Sequence, residues 1–102
     1  MRYAKRRDNN HKEIVQALRK AGFEVIDFGS AGHSIPDLLV SKEAQAGRPW
    51  VCWVEVKDTG GRLRDGQKRF QNLFEPRGEW YEAREAQDTV DALRALYLSR
   101  AT

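Results

Sequence analysis

Apolar residues in this chain switch between helical and strand spacing, and most switches fall at a glycine or a proline. Asn10 reads as a helix cap, followed by Ile14, Ala17, Leu18 and Ala21 at helical spacing, with Gly22 as the stop. Phe23 to Phe28 is strand-like, and Gly29 to Ser34 is a loop of small residues. Ile35 to Val40 predicts a second strand, with Pro36 confined to its entry because proline cannot donate to a ladder. Residues 41–48 read as a polar connection, and Trp50 to Lys57 as the strongest strand. Beyond the turn Asp58 to Gly61, the residues Leu63, Gln67, Phe70 and Phe74 mark one face of a second helix. Gly78 ends it. Glu79 to Arg84 predicts a fourth strand, and Asp88 caps a last helix with Val90, Leu93, Leu96 and Tyr97 on its buried face.

The predicted order is α-β-β-β-α-β-α: an α/β fold with one four-stranded mixed sheet flanked by helices, and a C-terminal helix. A length of 102 residues suits a single domain, divided here into a basic arm over 1–9 and a globular part over 10–102. No apolar run approaches the ~20 residues of a membrane span, so no membrane partner is expected. A single cysteine, Cys52, excludes an intrachain disulfide and a Cys-based zinc site. These features suit a soluble protein of a reducing compartment.

Net charge is only +3, but its distribution is uneven. Arg2, Lys5, Arg6 and Arg7 crowd the start, and Arg62, Arg64, Lys68 and Arg69 form a second basic cluster. Separated basic patches are the footprint of a polyanionic partner, provided that they flank something chemical.

That chemistry is carried by charged residues in otherwise apolar strands, where charge is costly unless used. Asp37 follows Pro36 at the mouth of the second strand, and Glu55 and Lys57 lie in the third. Strand residues two apart share a face, so Glu55 and Lys57 project together while Cys52, Val54 and Val56 face the core. An antiparallel pairing of the two strands would set Asp37 beside Glu55. Two converging carboxylates, with the Val56 carbonyl, make a hard-oxygen site for Mg²⁺ or Mn²⁺. With a lysine alongside, the combination suits phosphodiester hydrolysis.

The sequence resembles the PD-(D/E)xK nuclease superfamily, with its restriction-endonuclease-like αβββαβ core. Within it the likeness is to the small stand-alone VRR-NUC (virus-type replication-repair nuclease) domains often carried by phages, which are similar to archaeal Holliday-junction resolvases. The resemblance rests on the Arg-Arg-Asp start, Glu13, Gly32-His33-Ser34-Ile35-Pro36-Asp37-Leu38-Leu39-Val40, Glu55-Val56-Lys57, and Leu63 to Gln67. It implies Asp37 and Glu55 as metal ligands, Lys57 as the catalytic lysine, Glu13 as the helix-one acid that reaches the metal directly or through water, and Gln67 as the supporting glutamine of helix two. It further implies a metal-dependent DNA endonuclease, selective for branched DNA such as Holliday junctions and acting as a homodimer. Its setting would be repair or recombination, in the cytoplasm of a bacterial or phage-infected cell, with replication or recombination proteins as further partners. A non-catalytic nucleic-acid-binding module on the same fold, or a nuclease active only within such an assembly, are the alternatives. Departures from the family pattern are Leu63-Arg64-Asp65-Gly66-Gln67, where Ser/Thr-Pro usually follows the leucine, and Ser34, where glycine is common.

Other residues have competing roles. By spacing alone, Glu13 would close a capping box with Asn10. Asp65 stands in for the missing hydroxyl cap of the second helix. Trp53 shares the face of Glu55 and is expected to pack under the first helix rather than stack a base. His11 is expected to be exposed, and His33, Arg6, Arg7, Arg62, Arg64, Lys68 and Arg69 are candidates for phosphate contact. Trp50, Trp80, Phe74 and Tyr97 offer aromatic area for a dimer face.

Overall fold

The first apolar stripe belongs to a helix longer than itself. In the computed structural model, residues 2–29, 35–44, 47–57 and 62–101 are described, with side chains between residues 10 and 100. Helix α1 spans Arg2–Lys20, so Asn10 lies in its interior and neither caps it nor forms a box with Glu13. No glycine or proline separates the basic stretch from the apolar stripe, and arginine, lysine and alanine are good helix formers. The end of α1 is where glycine predicts it. Gly22 adopts φ +99°; its N–H donates to the Arg19 carbonyl and that of Phe23 to the Leu18 carbonyl, both at 3.0 Å. This is a Schellman ending, closed by the buried Leu18 and Phe23.

Three strands follow, β1 (Glu24–Asp27), β2 (Leu38–Glu43) and β3 (Pro49–Val56). Helix α2 (Asp65–Phe74) leads through a short 3-10 turn to β4 (Trp80–Ala83), and helix α3 (Ala86–Ala101) completes the order. The sheet order is β1-β2-β3-β4; β1, β2 and β3 pair antiparallel and β4 lies parallel to β3. The fold is thus α/β, with a mixed four-stranded sheet between helices. Strand β2 runs later than its apolar pattern predicts. Ser41, Lys42 and Glu43 are strand residues because they pair with Val51, Trp50 and Pro49, so cross-strand hydrogen bonding overrides their polarity. The last helix is capped by Glu85, whose Oε2 accepts the Asp88 N–H at 2.7 Å; Asp88 lies inside its first turn.

The two sheet faces differ. Leu38, Val40, Trp50, Cys52, Val54 and Val56 pack with Ile14, Val15 and Leu18 of α1 and Val90 and Leu93 of α3 in the main core. On the opposite face Trp53 lies 5.6 Å from Phe70 and 6.2 Å from Phe74, ring to ring. Trp53 therefore packs under α2, not under α1. The expected aromatic surplus is absorbed inside: Trp50 and Trp80 are buried, and Trp50 meets Tyr97 edge-on at 5.7 Å. Among the described residues the exposed large apolar side chains are instead Ile26, Ile35, Leu73 and Leu98. Among these residues no helix is long and apolar enough to cross a membrane.

Candidate active site

Leu38 pairs with Val54 in the β2–β3 ladder, and one step further along the same register Asp37 stands opposite Glu55. The antiparallel juxtaposition expected from sequence is therefore present. Asp37 is held twice: its carbonyl accepts the Phe28 N–H at 2.8 Å, and its Oδ2 accepts the Val56 N–H at 2.9 Å.

The ladder around Val56 explains why a proline precedes that aspartate. Trp53 and Lys57 donate to the β4 side, to the carbonyls of Glu79 and Ala83, so by alternation the N–H and C=O of Val54 and Val56 point toward β2. The pairing ends at Leu38 and Val54; carried on by two residues, the same register falls on Pro36 opposite Val56. Pro36 has no N–H, so it cannot close the ladder onto the Val56 carbonyl.

Glu55 is 3% and Lys57 9% exposed. Strand alternation alone would leave both facing solvent; on this face α2 sets Phe70 and Phe74 against Trp53. From α2, Gln67 donates through Nε2 to Glu55 Oε2 at 3.2 Å. Its Oε1 accepts the Arg64 N–H at 2.8 Å, at the start of the helix. One amide thus ties the helix start to the buried carboxylate, while Asp65 sits one place inside and does not cap.

The structure brings Asp37, Glu55, Lys57, the Val56 backbone and Gln67 to one end of one sheet face. It does not add Glu13 to them: Glu13 is exposed on α1, and among the described residues no group of three or more His, Cys, Asp or Glu side chains forms. Two carboxylates and a backbone carbonyl, without sulfur or imidazole, are a hard-oxygen donor set. They fit a divalent cation such as Mg²⁺ or Mn²⁺ that keeps several waters.

Arg62, Arg64, Lys68 and Arg69 are exposed at the α2 end of this region. Arg6 and Arg7 lie on α1 with side chains outside the described set, and His33 lies outside the described residues. His11 is not free in solvent as expected: its Nε2 is 2.9 Å from Asp27 Oδ1. Cys52 is fully buried, and burial first, then the charge of Glu79, pushes its thiol up to about 12. It is structural, not a nucleophile.

A family model for the VRR-NUC domain matches residues 2–87. The chain belongs to the VRR-NUC family. VRR-NUC domains are of the PD-(D/E)xK nuclease type, and membership gives this chain a nuclease-type function. Comparison with curated proteins and with solved structures returned no match. The VRR-NUC match begins at Arg2, so it includes the basic stretch within α1, and it stops in the first turn of α3. Most of α3 therefore lies beyond the matched residues, and it is held to the fold by core residues Val90 and Leu93 and by the Tyr97 hydroxyl, which donates to the Glu43 carbonyl at 2.6 Å. Sequence reasoning missed the His11–Asp27 pair and the amide at Asp37 Oδ2. Both join segments far apart in the chain, and only the acidic end of an apolar strand, Asp27, hinted at the first.

Proposed function

We propose that this VRR-NUC protein is a divalent-metal-dependent DNA endonuclease, selective for branched DNA such as four-way junctions. The observation that carries the proposal is the register that sets Asp37 opposite Glu55, with the buried Lys57 on the face of Glu55. Asp37, Glu55 and the Val56 carbonyl would hold Mg²⁺ or Mn²⁺, with water in the remaining positions. When bound, such an ion polarises a phosphoryl oxygen and makes a coordinated water more acidic. The protein's own part is positional. Gln67 fixes the Glu55 carboxylate; Lys57, shielded from bulk water, orients the attacking water and offsets charge growing on the phosphate. Exposed Arg62, Arg64, Lys68 and Arg69, with Arg6 and Arg7 on α1, take phosphates of the substrate without reading bases. A four-way junction is two-fold symmetric, so a homodimer presenting two sites suits paired cleavage.

The test is cleavage of matched linear, nicked, flapped and four-way-junction DNA with Mg²⁺, Mn²⁺ or EDTA, by wild type and Lys57→Ala. Metal-dependent cutting of the junction, lost in the variant, is expected. Equal cutting of every substrate would remove the selectivity. Salt-sensitive binding without cutting under any condition would favour a binding module or a nuclease that waits for a replication or recombination partner.

A further inference from the structure

A cluster beside the proposed site pins the strand end against which Asp37 rests. Asp27 Oδ1 meets His11 Nε2 of α1 at 2.9 Å and also accepts the Gly29 N–H at 2.8 Å. Gly29 has φ +43°, so the chain turns sharply on leaving β1. Phe28 lies between these two held residues. Its N–H donates to the Asp37 carbonyl at 2.8 Å, and its ring sits 6.1 Å from that of Trp53. Strand β1 has only four residues and lies at the sheet edge, with a ladder on one side alone. Such an end frays unless something ties it.

We propose that the His11–Asp27 pair positions Asp37. It fixes the Asp27–Phe28–Gly29 backbone, so that Phe28 holds the Asp37 main chain and the Asp37 carboxylate stays on the Val56 N–H. The proposal rests on Asp37 being an active-site carboxylate. His11 and Asp27 touch no reacting group and are positioning residues. The Val56 amide is the natural reporter, because its bond is to the Asp37 side chain, whereas the next amide, Lys57, bonds to Ala83 of β4 at 2.8 Å.

The experiment combines amide hydrogen exchange with cleavage kinetics on the full chain. Asp27→Ala removes the acceptor and His11→Ala the donor; Asp27→Asn and His11→Gln keep an oxygen and an N–H at similar reach. Both alanine variants should speed exchange at Val56 by about tenfold without changing it at Lys57. They should lower kcat about 10–100-fold, the usual effect of losing a group that orients a site residue, with KM for DNA unchanged. The conservative variants should restore both. Unchanged Val56 exchange in Asp27→Ala, or an equal rise at Lys57, would overturn the proposal. Absence of cleavage by wild type would instead count against the proposed stand-alone endonuclease, and the exchange comparison would still decide the positioning role.

Discussion

Glu55 and Lys57 occupy positions that a strand pattern assigns to the less covered face, yet both are buried. Burying a charge that has no ion-pair partner is costly, and Lys57 forms no ion pair among the described residues, so an apolar group of similar shape in its place removes that cost. Lys57→Met should therefore abolish cleavage while the protein melts at the same temperature as wild type or higher, read by circular dichroism. A large loss of stability would mean that the lysine serves the fold. Cys52 allows a separate check on the core. Burial pushes its thiol up from the ordinary 9.0 to about 12. The folded state then holds the proton more tightly, so stability is full below about pH 9 and falls as pH rises toward 12. Tyr81, raised by burial and then by Asp88, Glu85 and Glu82, acts in the same direction. Urea midpoints should drop between pH 8 and pH 10.5, and drop less in Cys52→Ala. The candidate residues Asp37, Glu55 and Lys57 were put forward by type and spacing. Their burial was not, because alternation along one strand carries no information about which helix lies over it.

Elements were easiest to read where a single residue enforces a backbone geometry. Gly22 ends α1 with a positive φ that an alanine adopts only at a cost of about 1–2 kcal/mol. Gly22→Ala should lower the unfolding free energy by about that much in urea titration, with unchanged active-site geometry. Pro36 acts through the hydrogen it lacks. If the register continues two residues past Leu38 and Val54, Pro36→Ala supplies an N–H for the Val56 carbonyl, and it should weaken Mn²⁺ binding measured by calorimetry. Undiminished affinity would remove that carbonyl from the proposed ligand set. Elements were misjudged where the deciding partner is distant. Ser41, Lys42 and Glu43 look like a loop until Val51, Trp50 and Pro49 pair with them. Asn10 looks like a cap, but nothing before it breaks a helix, and α1 continues back to Arg2.

At the scale of the molecule, one sheet face is closed by α1 and α3, and the other carries the candidate site under α2, beside the exposed Arg62, Arg64, Lys68 and Arg69. If these side chains take phosphates, DNA affinity should fall linearly with salt on logarithmic axes. Lys68→Ala and Arg69→Ala should each reduce the slope by about one, whatever the sequence of the DNA. Slopes equal to wild type would place the DNA elsewhere.

Periodicity and punctuation in the sequence determined the element order and the two-faced third strand, and they put forward Asp37, Glu55 and Lys57 as candidate site residues, to which the family resemblance added Gln67. These features depend on local geometry, which a few consecutive side chains dictate. Only the tertiary structure decided which helix covers which face, why Trp53 sits under α2, how Gln67 joins a helix start to a buried carboxylate, and that His11 meets Asp27 beside the Asp37 strand. Each of those depends on a contact between elements, fixed by strand register and by the shape of the packed core.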